Sequence, residues 1–132
     1  MDYGDVRIGI AFSDLLQVVA SPYDTYTRVN LDADIQFFKN LAQKQEVELI
    51  VIGLPYNMDG SEGEKVAEIR DFAEKLSRFT DAKILFQDER LSTVSAEKML
   101  IESGVRREKR KDVVDLVAAK IILQSYLDKI NK

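Results

Sequence analysis

Glu48-Leu49-Ile50-Val51-Ile52-Gly53 is a nearly continuous apolar run with the length of one β-strand. Runs of this kind are typical of strands in a parallel sheet that helices cover on both faces. A second apolar run, Ile84-Leu85-Phe86, follows a segment in which apolar residues recur at helical spacing. Strands that alternate with helices predict an α/β domain, so these two runs set the fold class.

Helical spacing of apolar residues marks four segments. The first follows Asn30, a suitable N-cap, and the second follows Ser61, which forms a capping-box pattern with Glu64. The third is expected from about Ser92 to Glu102, and the fourth from about Lys111 to Ile130. Because the fourth is densely apolar, we expect it to pack against a sheet over most of its girth.

Two more strands are expected ahead of the first apolar run, at residues 6–12 and 17–27. The second of them contains Ser21-Pro22. Proline has no N–H to donate to a neighbouring strand, so this strand is predicted to lie at a sheet edge or to contain a bulge.

The composition excludes several classes of function. The chain has 132 residues, 45% of them apolar, which predicts one soluble globular domain spanning residues 1–132. No apolar run approaches the length of a membrane span and no signal peptide is evident, so a cytoplasmic protein is expected. The absence of Cys and His excludes disulfides, thiolate nucleophiles and Ser-His-Asp triads. Chemistry must come from carboxylates, Lys, Tyr or hydroxyl groups, and carboxylates favour hard cations such as Mg²⁺ and Mn²⁺.

Three separate parts of the chain place carboxylates where they could meet. Asp88-Glu89 follows the second apolar run, at the strand end where α/β sheets bind ligands. Asp2 lies just before the first expected strand, and Asp115 lies inside the last helix, one turn after Asp112. Carboxylates that converge on a sheet edge can hold one or two Mg²⁺ ions and activate a water molecule. Coincidence among 23 acidic residues is the alternative, and for Asp112 a helix-dipole partner is equally plausible.

Positive charge is concentrated at residues 106–111, although the net charge is −4. A solvated loop is the usual explanation of such a cluster. Phosphate binding is the alternative, since the cluster directly precedes Asp112 and Asp115. Its members are Arg106, Arg107, Lys109, Arg110 and Lys111. The loop at 53–61 could also bind a phosphate, but it lacks the lysine of a P-loop, and a plain connection is favoured.

Short motifs are distributed along nearly the whole chain. They are Asp2-Tyr3-Gly4, Arg7-Ile8-Gly9, Ser13-Asp14, Gly53-Leu54-Pro55, residues 57–63, residues 88–93, Lys109-Arg110-Lys111, Asp115, Ala118-Ala119 and Ile122-Leu123-Gln124. In this order and at this spacing they resemble the YqgF (RuvX) family of Holliday-junction-resolvase-like proteins, which are also described as pre-16S rRNA nucleases.

The resemblance implies a ribonuclease H-like fold, with a five-stranded mixed sheet flanked by helices. It also implies a metal-dependent, phosphodiester-cleaving nuclease. Its catalytic and metal-binding acids would be Asp2, Glu89 and Asp115, binding Mg²⁺ or Mn²⁺, and Asp112 is a further candidate ligand outside the family's core pattern. The residues expected to bind the nucleic-acid backbone are basic: Arg7, Arg90, Arg106, Arg107, Lys109, Arg110 and Lys111.

One departure from the family concerns the N-terminus. Family members usually carry about half a dozen residues before this aspartate, and these form the central first strand. Here the chain begins Met1-Asp2. The first strand is therefore expected to be truncated, and if it is missing, the sheet loses its middle and Asp2 lies on a mobile terminus.

The family's suggested role is processing of the 5′ end of precursor 16S rRNA during ribosome maturation. We expect a cytoplasmic monomer or weak dimer that binds precursor rRNA and no membrane. One alternative is an endonuclease that resolves Holliday junctions in branched DNA, acting as a dimer on a symmetric substrate. Another is a catalytically silent RNA- or protein-binding module on the same fold.

Overall fold

The computed structural model describes the backbone of residues 1–89, 92–104 and 106–132, and within these ranges every side chain except those of 92–95, 97 and 107–112. Strands and helices alternate through most of this part of the chain, which confirms the α/β class. The elements are β1 (Asp2–Tyr3), β2 (Arg7–Ser13), β3 (Ala20–Thr27), α1 (Leu31–Lys44), β4 (Leu49–Leu54), α2 (Glu64–Ser77), β5 (Lys83–Asp88), α3 (Ser92–Glu102) and α4 (Arg107–Ile130).

The strands lie in two sheets. β1, β2 and β3 form an antiparallel sheet in that order, and β4 and β5 form a parallel pair. The sheets adjoin at Met1, whose nitrogen donates to the Val51 carbonyl at 2.8 Å and whose carbonyl accepts from the Gly53 N–H at 3.1 Å. The single five-stranded sheet of the prediction is not confirmed, because β1 has only two residues and forms no continuous ladder with β4.

The expected irregularity in β3 is confirmed. Ile10 pairs with Asp24 and Ala11 pairs with Pro22, so the register shifts between them. β3 is also the edge strand of its sheet, where a residue without an N–H is tolerated. The strand begins at Ala20 rather than at residue 17, because the Asp14 carboxylate accepts hydrogen bonds from the N–H groups of Val18 and Val19 and closes a turn.

A hydrophobic core fills the space between the strands and helices α1 and α2. Tyr3 and Phe38 both pack on Phe72, with ring centroids 4.8 Å and 6.1 Å away. The buried members of this core are Tyr3, Ile8, Ile10, Ile35, Phe38, Ile52, Leu54, Val66, Ile69, Phe72, Ala73 and Leu76. Since side chains alternate along a strand, Asp2 and Gly9 belong to the opposite face, where α4 packs.

The helix starts were only partly predicted. Asn30 caps α1 by accepting from the Ala33 N–H at 2.9 Å, as expected. The capping box of Ser61 is wrong: Gly63 precedes α2, and Ser61 instead donates its N–H and hydroxyl to Asp59. α4 begins at Arg107, four residues earlier than expected, so most of the basic cluster is helical rather than a loop.

Across the part of the chain that the structure describes, no helix combines the length and apolar character needed to span a membrane.

Candidate active site

Asp2 lies in the middle of a row of three residues from three strands. It pairs with Gly9 of β2, and the Met1 backbone bonds to β4 place it opposite Gly53. Its side chain is only 6% exposed. The expectation that Asp2 lies on a mobile terminus is therefore wrong, because strands on both sides hold its backbone.

The two glycines of this row allow close approach. A Cβ on Gly9 would lie 2.0 Å from the carbonyl oxygen of Asp115, so the backbone of α4 rests directly on β2 at this point. A Cβ on Gly53 would lie 2.6 Å from Ile122 Cδ1 and 2.8 Å from Glu89 Cγ. The glycines thus bring both α4 and Glu89 next to Asp2. This role was not predicted from the sequence, where the available signal was an isolated glycine inside each apolar strand.

Glu89 directly follows β5. Its N–H donates to the Leu54 carbonyl at 3.0 Å, which continues the β4–β5 pairing by one step and fixes the backbone. The side chain is 9% exposed and packs above Gly53. The structure therefore places this acid at the end of a strand, as the sequence indicated.

Two acids from distant parts of the chain, Glu89 and Asp115, lie within electrostatic range of Asp2. Burial, together with the negative charges of Glu89 and Asp115, raises the pKa of Asp2 to about 7. The Asp115 carboxylate is 24% exposed and forms an ion pair with Arg7, in which Nε and Oδ2 are 3.3 Å apart. The structure thus places Glu89 and Asp115 within electrostatic range of Asp2, and Arg7 pairs with Asp115.

The donor set fits a hard divalent cation. All three candidate ligands are carboxylates, and their mutual repulsion is the kind of electrostatic strain that a bound cation relieves. In the described residues, no three acidic side chains lie close enough to hold a metal as they stand. Asp115 is bonded to Arg7 instead. The side chain of Asp112 falls outside the described part of the structure.

The predicted nucleic-acid contacts are only partly described. Arg106 is exposed and directly precedes α4. Arg90 lies outside the described residues. The others lie in the first turns of α4, with side chains that are not described: Arg107, Lys109, Arg110 and Lys111.

The raised pKa of Asp2 predicts a pH-dependent stability. The folded state holds this proton more tightly than the unfolded state, whose ordinary pKa is 3.8. The raised pKa therefore adds to the free energy of unfolding. This contribution is fully present below pH 3.8 and is lost as the pH rises through about 7. We expect Asp2→Asn to remove this dependence and to stabilise the metal-free protein at pH 8 by about 2–4 kcal/mol.

Urea unfolding of the wild type and of Asp2→Asn at pH 5 and pH 8, in the presence of a chelator, measures the effect. Asp81→Asn is the control, because Asp81 is exposed and precedes β5, whereas Glu89 lies beyond the other end of that strand. Equal stability of Asp2→Asn and wild type at pH 8 would contradict the prediction.

Fold and site together define an α/β protein with a buried carboxylate cluster beneath a covering helix. A family model described as RuvX, Holliday junction resolvase, matches residues 1–129. The chain belongs to the RuvX family, and the resemblance drawn from its motifs is confirmed.

Curated relatives match over almost their full length. A protein of Halothermothrix orenii is 48% identical over 132 residues, which cover 100% of this chain and 94% of that protein. A protein of Endomicrobium trichonymphae is 46% identical over 97% of this chain and 92% of its own length. A protein of Clostridioides difficile is 46% identical over 99% of this chain and 94% of its own. Each of the three is named "Putative pre-16S rRNA nuclease".

Proposed function

We propose that the protein is a metal-dependent nuclease that processes the 5′ end of precursor 16S rRNA in the cytoplasm. The observation that carries the chemistry is the convergence of Asp2, Glu89 and Asp115 in a chain without His or Cys. The proposed substrate is inferred from the names of similar proteins. A chain 48% identical over its full length is a sound basis for expecting the same substrate class.

The proposed ligands of Mg²⁺ or Mn²⁺ are Asp2, Glu89 and Asp115, with Asp112 as an auxiliary ligand. When bound, such a cation supplies a water molecule of lowered pKa and neutralises charge on the phosphate. The strands fix the backbones of Asp2 and Glu89, and α4 presents Asp115 against β2. The protein's contribution is thus to hold two buried carboxyl groups and the partly exposed Asp115 on one side of the strands.

We infer a ribonuclease H-like arrangement of the five strands. The contacts at Met1 set the edge of β1 beside β4, so the lateral order of strands is β3, β2, β1, β4 and β5. Helices α1 and α2 cover one face and α4 covers the other. This order supports a central position for Asp2 and makes its strand the meeting point of the two sheets.

The N-terminal turns of α4 are the proposed contact for the RNA backbone. Lys111 lies one helical turn before Asp115, and Arg107 lies about 12 Å before it along the helix axis. Phosphates gripped by this part of the helix would lie next to the carboxylates. The proposed set comprises Arg7, Arg90, Arg106, Arg107, Lys109, Arg110 and Lys111.

The second candidate is an endonuclease for four-way DNA junctions, which the description of the matching family model favours. A junction has two-fold symmetry, so its resolution needs two active sites and a stable dimer. We propose a monomer or weak dimer, which favours the RNA substrate. Sedimentation analysis with and without a junction therefore separates the two candidates before any cleavage is measured.

The test of function compares a 5′-extended 16S precursor fragment with a four-way DNA junction. Each substrate is incubated with the protein and Mg²⁺, Mn²⁺ or a chelator. We expect metal-dependent shortening of the RNA at its 5′ end and none in chelator. Resolution of the junction alone would establish the second candidate. Salt-sensitive RNA binding without cleavage of either substrate would indicate a binding module.

A further inference from the structure

The ion pair between Arg7 and Asp115 joins the start of β2 to α4 across 108 positions of the chain. It is a single hydrogen bond, from Nε to Oδ2 at 3.3 Å, which is long for a bond between two charged groups. Both side chains are partly exposed, at 35% and 24%. A contact of this length and exposure contributes little to stability and can be exchanged readily.

The same Asp115 carboxylate belongs to the group of three acids proposed to bind a cation. While Oδ2 accepts from Arg7, that lone pair cannot coordinate a metal. The described residues contain no group of three acids at metal-holding distance, although Asp115 is near enough to raise the pKa of Asp2. The guanidinium and the cation therefore compete for one carboxylate.

We infer that Arg7 is the internal counterion of Asp115 and that it is exchanged for the metal when the site loads. The inference deepens the proposed function and rests on it. In the metal-free protein the guanidinium offsets part of the negative charge beside Asp2. Metal binding turns the Asp115 carboxylate from Arg7 to the cation. The displaced guanidinium is then next to the metal, in a position to bind the phosphate of the substrate.

Lys65 provides a matched comparison. Its ammonium group acts electrostatically on Asp2 and lowers the pKa of that carboxyl. However, it pairs with Asp5 and with Glu68 Oε2, the latter at 3.7 Å, and not with the three acids. Removing the charge of Lys65 tests the general effect of a nearby cation, whereas removing that of Arg7 also frees the Asp115 carboxylate.

The experiment is titration of the metal-free protein with Mn²⁺ in the absence of RNA, with free Mn²⁺ followed by electron paramagnetic resonance. We expect Arg7→Gln to bind Mn²⁺ about three- to tenfold more tightly than the wild type. Arg7→Lys keeps the charge and should stay close to the wild type. Lys65→Gln should change the affinity by less than about twofold. In an Asp115→Asn background, Arg7→Gln should have no effect beyond that of Lys65→Gln.

Affinity of Arg7→Gln equal to or weaker than that of the wild type would overturn the inference and leave the proposed metal site standing. A gain that persists in full with Asp115→Asn would overturn it too, since the competition would then not involve that carboxylate. Failure of both the wild type and Arg7→Gln to bind Mn²⁺ would remove the metal site itself, and the inference with it. Circular dichroism of each variant confirms that it is folded.

Discussion

Replacing Glu89 with Gln is expected to lower cleavage of the precursor RNA by about a hundredfold or more. Gln has the same shape but no charge, so it removes one of three anionic ligands from the proposed site. The backbone contact of residue 89 with Leu54 is unaffected by this change. The fold should therefore persist. Cleavage rates at saturating and at limiting Mg²⁺ measure the loss, and excess metal should not restore activity fully.

Asp88→Asn is the matched control for this variant. Asp88 is the immediate neighbour, is exposed, and ends β5 without belonging to the buried group of acids. It should retain nearly all activity. Full activity of Glu89→Gln, or an equal loss in both variants, would discard the proposed role of Glu89 while leaving the family assignment intact.

Gly9→Ala is expected to destabilise the protein by about 2–4 kcal/mol. The added methyl would fall 2.0 Å from the carbonyl oxygen and 2.6 Å from the carbonyl carbon of Asp115. Both are backbone atoms, so no side-chain rotation relieves the clash and α4 must move away from β2. Movement of α4 also carries Asp115 away from Asp2, so cleavage should fall more than stability alone explains.

Urea unfolding measured beside Gly63→Ala tests this expectation. A Cβ on Gly63 meets only the side chain of Asn57, at 3.6 Å or more, which is ordinary contact. Gly63→Ala should lower the free energy of unfolding by less than about 1 kcal/mol, because the N-cap position of α2 has no side-chain hydrogen bond to lose. Similar losses in the two variants would mean that α4 can shift on β2 without cost.

Local pattern predicted the elements whose signals are local. The apolar runs at 48–53 and 84–86 mark β4 and β5, and α3 spans Ser92–Glu102 as expected. The predicted start of α2 was wrong because Ser61 donates a hydrogen bond to Asp59 in a turn before the helix begins. The predicted start of α4 was wrong because the basic cluster is part of the helix. Lys, Arg and Glu are good helix formers, so a charge cluster alone does not end a helix.

The candidate site was predictable in its acids and not in its geometry. Asp115 attracted notice because it lies in an apolar helix, and Glu89 because it follows an apolar strand. Nothing local to Arg7 indicates that it pairs with Asp115, since the two are brought together only by the packing of α4 on β2. The division into two sheets likewise depends on how many residues β1 contributes, which periodicity does not reveal.

The contact of α4 with Gly9 also governs when activity can arise during synthesis. Asp2 emerges from the ribosome well before Asp115, because more than a hundred residues separate them in the chain. Because the acids come from widely separated parts of the chain, a nascent protein holds no complete site until α4 has been made and has docked. Long-range docking of this kind is slow compared with helix formation. A nuclease built in this way is inert until α4 has docked on β2.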